Sequence, residues 1–437
     1  MTEQKIYKPR AITGFPEWLP EIRRIEQQWM DHIRKVFESY GFCSIETPSV
    51  EELDVLRAKG EVDKEIYVIE RLHKDENDKS DARLALHFDQ TVPLARYVAQ
   101  HFNELDFPFK RYQMQRVWRG ERPQSGRFRE FYQCDIDVIG VDNVPIHFDG
   151  ELATIMVDIL RGLNIGPFQM QVSNRKILMG ICEGLGITDT TSVTRAIDKI
   201  EKIGVEATVK LLQEAKLSST QIDVLIKLAQ VKTNNSSFVQ HVESLGVQNE
   251  NLAIGLTELS SVMALAQDYP EIVADLSIVR GLDYYTGTVY ETKLLDNPAF
   301  GSICSGGRYD DLAGSYINKH LPGVGLSIGL SRLFDYMRIN NKLGDTSRKC
   351  PTDVLVCVPS PEKTGDAAIV ADLLRSRGMN VELYHSAQKI KKQIEYASKR
   401  GIPYVWFPPF DANGQHEVKD MRTGEQVQAN PENWNKA

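Results

Sequence analysis

The chain has 437 residues, of which 42% are hydrophobic and 26% charged; these are the proportions of a globular protein with a sizeable core, and they exclude a disordered chain, a collagen-like fibre and a small disulfide scaffold. The formal net charge of −8 excludes a surface that wraps nucleic acid throughout, so any such contact must be a local patch. At about 150 residues per domain, the length predicts roughly three domains.

In chain order, residues 20–40 place Ile22, Ile25, Trp29, Ile33 and Phe37 at helical spacing, and Gly41 stops that amphipathic helix. Residues 42–47 read as a strand ended by Pro48, and strand-like stretches follow around 66–70, 83–88, 111–118 and 131–139. Leu, Ile, Val and Ala at helical spacing make 176–265 a helical block that includes the polar stretch 232–237. Strand chemistry returns at 275–294 and 301–305, and 322–340 runs from a Gly-rich strand into a helix. The polar stretch 340–349 suits a linker. Beyond it, strands at 353–358, 380–384 and 404–407 alternate with helices at 363–378 and 387–400, a rhythm that predicts a small, separate α/β domain of about 85 residues.

Cys43, Cys134, Cys182, Cys304, Cys350 and Cys357 are scattered, with no C-x-x-C pair. That spacing predicts free buried thiols in a reducing cytosol rather than a zinc site or disulfide framework. The N-terminus lacks a secretory h-region, and no apolar run approaches the roughly 20 residues that span a bilayer, so the expected location is cytoplasmic.

The densest chemical signal is 110–130, KRYQMQRVWRGERPQSGRFRE, with seven cations and two acids. Arginine binds phosphate through a planar, bidentate fork, so this hairpin suits polyphosphate or RNA; a solvated hairpin with surface ion pairs explains the charge alone equally well. A second island, 280–287, carries Arg280, Asp283, Tyr284 and Tyr285, which suit a polar pocket or the rim of a half-buried hairpin. A third, 305–310, pairs Gly306 with Gly307, either to let a ligand approach the backbone or to make a turn. The fourth, 322–333, contains a G-x-S-x-G pattern around Ser327. With Asp335 or Asp353 and His385 or His416 it has the chain order of a serine-hydrolase triad, but that reading takes its histidine from beyond the linker and leaves the arginine hairpin unexplained.

Together and in this order, the islands resemble the motifs of the class II aminoacyl-tRNA synthetases, specifically the histidyl-tRNA synthetase family. The helix at 20–40 with the strand ending at Pro48 is similar to motif 1, Trp118-Arg119-Gly120-Glu121 with the loop through Arg129 to motif 2, and the Gly-rich strand and helix ending at Arg332 to motif 3. Residues 280–287 and 305–310 match the two histidine-specific signatures. The resemblance implies an α+β fold: a mostly antiparallel sheet flanked by helices (1–175 and 266–340), a helical insertion (176–265), a linker (341–351) and a C-terminal α/β anticodon-binding domain (352–437). It implies a cytoplasmic homodimer with L-histidine, ATP and tRNA(His) as partners, Mg²⁺ accompanying ATP, and no zinc, haem, nicotinamide or membrane. A histidine-binding regulatory subunit of ATP phosphoribosyltransferase is the alternative on the same fold. Such paralogues lack the C-terminal domain and catalytic arginines, whereas this chain keeps 352–437, Arg119, Arg280 and Arg332.

By the same resemblance, Arg119 and Arg280 are catalytic and hold the α-phosphate, Arg119 also taking the substrate carboxylate. Arg127 and Arg332 take the γ-phosphate end, and Glu121 joins them at ATP. Asp89 and Gln133 bind the α-ammonium, and Asp137 and Tyr285 the ring nitrogens. Gln90, Thr91, Tyr284 and Tyr309 line the histidine pocket, while Gln124 and Arg129 meet the tRNA acceptor end. In the C-terminal domain, Lys389, Lys391, Lys392, Lys399 and Arg400 form a basic helix that either faces RNA or is simply solvated. Two residues depart from the family pattern: His87, where many relatives carry Arg, and Ser331, where an acid is common.

Overall fold

The computed structural model describes residues 7–57, 66–72, 83–122, 126–279, 285–311, 313–409, 411 and 414–436. They form two compact units, one of residues 1–16 and 30–342, the other of residues 17–29 and 343–437.

Chain order begins with helix α1 (Pro20–Ser39), strands β1 (Cys43–Ser44) and β2 (Val50–Glu52), helix α2 (Leu53–Arg57), strands β3 (Tyr67–Ile69) and β4 (Leu84–Leu86) and helix α3 (Thr91–Gln100). The long hairpin β5 (Phe109–Trp118) and β6 (Glu130–Ile139) follows, then α4 (His147–Gly162) and β7 (Phe168–Asn174). The helical stretch contains α5 (Arg175–Gly184), α6 (Thr190–Ile197), α7 (Ile200–Glu214), α8 (Ser219–Ala229), α9 (Phe238–Glu243) and α10 (Glu250–Leu265), with the short strand β8 (Lys232–Thr233) inside the polar run. Then come β9 (Ile272–Asp275), β10 (Tyr285–Leu294), β11 (Cys304–Tyr309), β12 (Gly323–Ile328) and α11 (Leu330–Ile339).

In the first unit a nine-stranded sheet has the order β1-β5-β6-β12-β11-β10-β7-β9-β8. It is antiparallel from β5 to β7, and only the pairs β1/β5 and β7/β9 are parallel. Strands β2, β4 and β3 make a separate antiparallel sheet. Alternation on β6 sorts the two faces of the large sheet: Cys134, Ile136 and Val138 are buried apolar residues, while Gln133, Asp135 and Asp137 point to the opposite face. Strand β5 obeys the same period, with Arg111, Gln113 and Gln115 directly opposite Asp137, Asp135 and Gln133.

The second unit holds β13 (Val354–Val356), α12 (Thr364–Ser376), β14 (Val381–Leu383), α13 (Ile390–Arg400), β15 (Tyr404–Phe407), β16 (Glu417–Asp420) and β17 (Gln426–Gln428). Its parallel core β14-β13-β15 follows the expected β-α-β-α-β rhythm, and β16 and β17 extend it as an antiparallel edge. Val354, Val356, Ala371, Leu374, Val405 and Trp406 belong to its core. All six cysteines are free thiols; five are buried as expected, but Cys43 is exposed because it lies on the two-residue edge strand β1.

Candidate active site

The site is built on the polar face of the large sheet. Opposite Asp137 on β12 stands Gly325, opposite Gly325 on β11 stands Gly307, and Tyr309 pairs with Gly323 on one side and Tyr285 on the other. These glycines lie within strands rather than in turns. A Cβ on Gly325 would stand 2.0 Å from an Asp137 carboxylate oxygen, one on Gly307 2.6 Å from the Tyr285 ring, and one on Gly323 2.5 Å from the Tyr309 ring. The missing side chains are what let an acid and two tyrosines lie across neighbouring strands.

Asp137 is 5% exposed. The Arg111 guanidinium lies 2.6 Å from one of its oxygens, and the Tyr309 hydroxyl donates to the other at 3.1 Å. Burial pushes its carboxyl up to about 6, against the pull of Arg111 and of the Tyr309 hydrogen bond. Its neighbour Asp135 is raised further by burial, to about 7, with Arg111 and Ser327 opposing. Tyr309 itself is held far above the usual phenol range by burial and by the adjacent Asp137.

Gln90 is fully buried and spends its amide N–H groups on the carbonyls of Gln115 (3.0 Å) and Gln133 (3.2 Å). Gln133 donates to Ser327 Oγ at 2.8 Å. Gln90 Oε1, Gln133 Oε1 and Asp135 Oδ1 are buried acceptors with no hydrogen-bond donor among the described residues. Asp89 stands at the start of α3, accepting the Val92 amide at 3.1 Å, with Thr91 as the first helical residue.

Beside the acids opens a cavity of about 340 Å³ lined by Arg119, Glu121, Arg127, Gln133, Ser305 and Arg332 among others. Arg119 lies over the Phe131 ring at 5.2 Å and donates from Nε to the Phe88 carbonyl at 3.0 Å. Arg332 stacks on Phe300 at 4.6 Å and donates to its carbonyl, while its Nε is buried without an acceptor among the described residues. Burial, and after it the charge of Arg127, lowers the Arg332 pKa, so an anion in this cavity would relieve both guanidinium groups. Glu121 is 3.9 Å from Arg127. Three arginines, Arg119 and Arg127 from the β5–β6 hairpin and Arg332 from α11, thus converge on one cavity that abuts the acid-lined floor.

Arg129 does not line this cavity; its Nε donates to the Glu121 carbonyl at 3.2 Å and its own carbonyl accepts the Arg119 amide at 2.8 Å, so it braces the hairpin. Gln124, Arg280 and Tyr284 lie outside the described residues. Ser327 sits mid-strand on β12, hydrogen-bonded to Gln133 and Asp135 rather than to a histidine, and His385 and His416 belong to the second unit. That is a strand position, not a nucleophile elbow.

Both departures from the family pattern have local explanations. His87 is fully buried beside Trp118, and burial lowers its pKa, so the neutral ring donates from Nε2 to the Arg116 carbonyl at 2.7 Å. Ser331 Oγ accepts the Tyr132 backbone amide at 2.9 Å and ties the start of α11 to β6. Among the described residues no three His, Cys, Asp or Glu side chains cluster as a metal site, and no helix is long and apolar enough to cross a membrane.

Sequence reasoning missed Arg111, Gln113, Gln115 and Asp135 as parts of one polar layer. Gln113 donates to Gln115 Oε1 (2.6 Å) and Thr47 Oγ1 (3.0 Å), and Gln115 to the Thr47 carbonyl (2.9 Å). The signal was available: polar residues at every second position of two facing strands mark a functional face when they are buried.

A histidyl-tRNA synthetase family model matches residues 14–333, and an anticodon binding domain model matches residues 353–436. The chain is 57% identical over 438 residues to the histidine–tRNA ligase of Thermobifida fusca, covering 100% of each chain. It is 50% identical to that of Micrococcus luteus, covering 97% of this chain and 95% of the other. In three dimensions it is similar to the crystal structure of histidyl-tRNA synthetase from Nostoc sp. PCC 7120, with a TM-score of 0.88, 37% identity and 97% of each chain covered. A Bacillus halodurans chain described as an ATP phosphoribosyltransferase regulatory subunit/histidyl-tRNA synthetase aligns with a TM-score of 0.74 over 90% of this chain and 97% of its own, but at 19% identity that likeness shows the fold alone. From the sheet and its arginine-lined cavity to the C-terminal α/β unit, the chain belongs to the histidyl-tRNA synthetase family.

Proposed function

We propose a division of labour within this site for a histidine–tRNA ligase. The chain ligates L-histidine to tRNA(His) in two steps, by way of histidyl-adenylate formed from ATP with release of pyrophosphate. The observation that carries the division of labour is the set of unpaired acceptors in the pocket: Gln90 Oε1, Gln133 Oε1 and Asp135 Oδ1 are buried without hydrogen-bond donors among the described residues, next to the charged acceptor Asp137. Such a pocket favours a ligand that brings N–H groups of its own, and histidine brings an ammonium and an imidazole.

In this reading Asp137 accepts a ring N–H and Tyr285 meets the other ring nitrogen, with Tyr309 holding Asp137 and, like Tyr284, assigned to the lining of the histidine pocket. Asp89 and Gln133 take the ammonium, and Gln90 and Thr91 complete its surroundings. Arg119, stacked on Phe131 at the mouth, holds the substrate carboxylate and the α-phosphate, and Arg280 stabilises that phosphate from the other side. Arg332 and Arg127 take the γ-phosphate end beside Glu121. Fixed guanidinium groups stabilise the charge that builds in the in-line displacement without reorganising, each contributing about 3–4 kcal/mol to the transition state. The apolar amino acids leave these buried groups unpaired, which supports discrimination without a separate editing site.

The hard carboxylate oxygen of Glu121 in the cavity fits Mg²⁺ arriving with the nucleotide, where the ion would neutralise phosphate charge. Gln124 and Arg129 belong to the acceptor-end contact and residues 352–437 to the anticodon, with 176–265 as the insertion between the halves of the catalytic domain. Val68, Ile69 and Leu84, apolar yet at least 40% exposed on the small sheet, support a homodimer, and the cytoplasm is the expected location. Histidine-dependent ATP–pyrophosphate exchange tests the reading. Exchange in the wild type and a loss of roughly 10²–10³ in Arg280→Ala are expected, and absence of exchange in well-folded protein overturns it.

A further inference from the structure

Arg111 is among the largest fully buried side chains of the protein, and it does not line the cavity. It projects from β5 onto the polar face of the sheet, and its guanidinium reaches Asp137 across the β5–β6 ladder at 2.6 Å. Its Nη1 donates to Gln113 Oε1 at 3.4 Å, and Gln113 is in turn fastened to Gln115 and Thr47. The guanidinium is thus held between the Asp137 carboxylate and a Gln113 that belongs to a buried chain of hydrogen bonds. Asp135 lies two residues along on the same face, with no ion pair among the described residues.

We infer that Arg111 is a positioning residue for substrate recognition: it holds Asp137 in place as the charged acceptor for the imidazole N–H. This rests on the reading of Asp137 as the ring acceptor. A carboxylate buried without a counter-charge takes up a proton rather than bear the desolvation penalty. A protonated Asp137 would present an O–H where the ring N–H needs an acceptor, and the pocket would lose what distinguishes histidine from an apolar amino acid of similar shape. The charged and titratable groups facing Asp137 are Arg111 from β5, Asp135 from β6, Tyr309 from β11 and Asp89 from the turn before α3. Arg111 is the one cation in that set, and Asp89 pushes the Asp137 carboxyl towards protonation. With Arg111 removed, ionisation of Asp137 moves to higher pH.

The test is pyrophosphate exchange by Arg111→Met and Arg111→Lys, with the KM for histidine and for ATP measured from pH 6.5 to 8.5. Arg111→Met is expected to raise the histidine KM by roughly 30-fold at pH 7, the loss of one hydrogen bond to a charged group, with the ATP KM changed less than about twofold. The defect should shrink as pH rises, because the unaided carboxyl ionises there, and Arg111→Lys should recover most of the affinity at pH 7. If Arg111→Met does not fold, Arg111→Gln, which keeps a polar tip in the same space, should show the same pH-dependent histidine defect. A histidine KM within twofold of wild type, or a defect of equal size at every pH, overturns the inference. Asp137→Asn separates the two layers: if it binds histidine as tightly as wild type, the reading of Asp137 itself fails, whatever the Arg111 variants do.

Discussion

Gly325 faces Asp137 across the β6–β12 ladder, and a methyl group at position 325 would stand 2.0 Å from the Asp137 carboxylate. That carboxylate cannot simply turn aside, since Arg111 grips one oxygen and Tyr309 donates to the other. The glycine is required by the close approach of Asp137 rather than by chain flexibility. Gly325→Ala should fold and should raise the KM for histidine about tenfold to a hundredfold, the usual cost of overpacking a tight site being about 1–3 kcal/mol. Pyrophosphate exchange at varied histidine and at varied ATP checks this; an equal rise in both KM values would place the damage elsewhere.

Asp135 makes a prediction about stability and pH. Its folded pKa of about 7 lies above the ordinary value of 3.8 because burial penalises the charge. A group raised on folding stabilises the folded state most below its unfolded pKa, and that contribution is lost as pH climbs to the folded pKa. Wild-type stability should therefore decline between about pH 4 and pH 7 on this account. Asp135→Asn removes the titration, so its melting temperature should gain on the wild type across that window and keep a constant lead above it. Paired melting curves from pH 4 to pH 8.5 test this, and a lead that does not change with pH would mean that Asp135 is not the titrating group.

The parts of this molecule that were legible in the sequence are those whose signal is local. The arginines of the hairpin crowd together along the chain, α1 has a clean helical period, and the β-α-β-α-β rhythm of the second unit repeats at short range. Helix α4 was hidden because eleven of its sixteen residues are buried, so it carries no polar stripe to mark its period. The acid pocket was only half visible. Asp137 stood out through resemblance, but its partner Arg111 is opposite it only in the folded sheet and looked like one more cation of the hairpin. Likewise Gly306 and Gly307 were as consistent with a turn as with close approach of a ligand to the backbone, and only the β10–β11–β12 register places them inside a strand.

A second buried ion pair holds the far side of β11. Arg308, between Gly307 and Tyr309 on β11, pairs with fully buried Asp149 of α4, and the Asp149 carbonyl accepts the Tyr290 hydroxyl at 2.9 Å. Breaking one member leaves a buried, uncompensated charge, so Asp149→Ala should cost about 3–5 kcal/mol. The double variant Asp149→Leu with Arg308→Met, which removes both charges at similar volume, should recover most of that loss. Denaturant unfolding of the single and double variants measures both, and additive losses would show that the two residues act independently.

The charge pattern of α13 separates exposed lysines from a residue that holds the domain together. Lys389, Lys391, Lys392 and Lys399 are exposed. Arg400, by contrast, is engaged within the domain: it stacks on Tyr396 at 5.2 Å, donates to its hydroxyl and lies 3.7 Å from Glu382. If the exposed face contacts the tRNA backbone, each lysine that neutralises a phosphate contributes about 0.7–0.9 to the slope of log affinity against log salt. Lys391→Ala with Lys392→Ala should then weaken tRNA(His) binding at low salt and flatten that slope by roughly 1–2, with histidine-dependent pyrophosphate exchange unaltered because no tRNA enters that step. Arg400→Ala should instead lower the stability of the domain and leave the slope in place. An unchanged slope in the double lysine variant would assign α13 to solvent and shift the search for the anticodon contact to another face of the second unit.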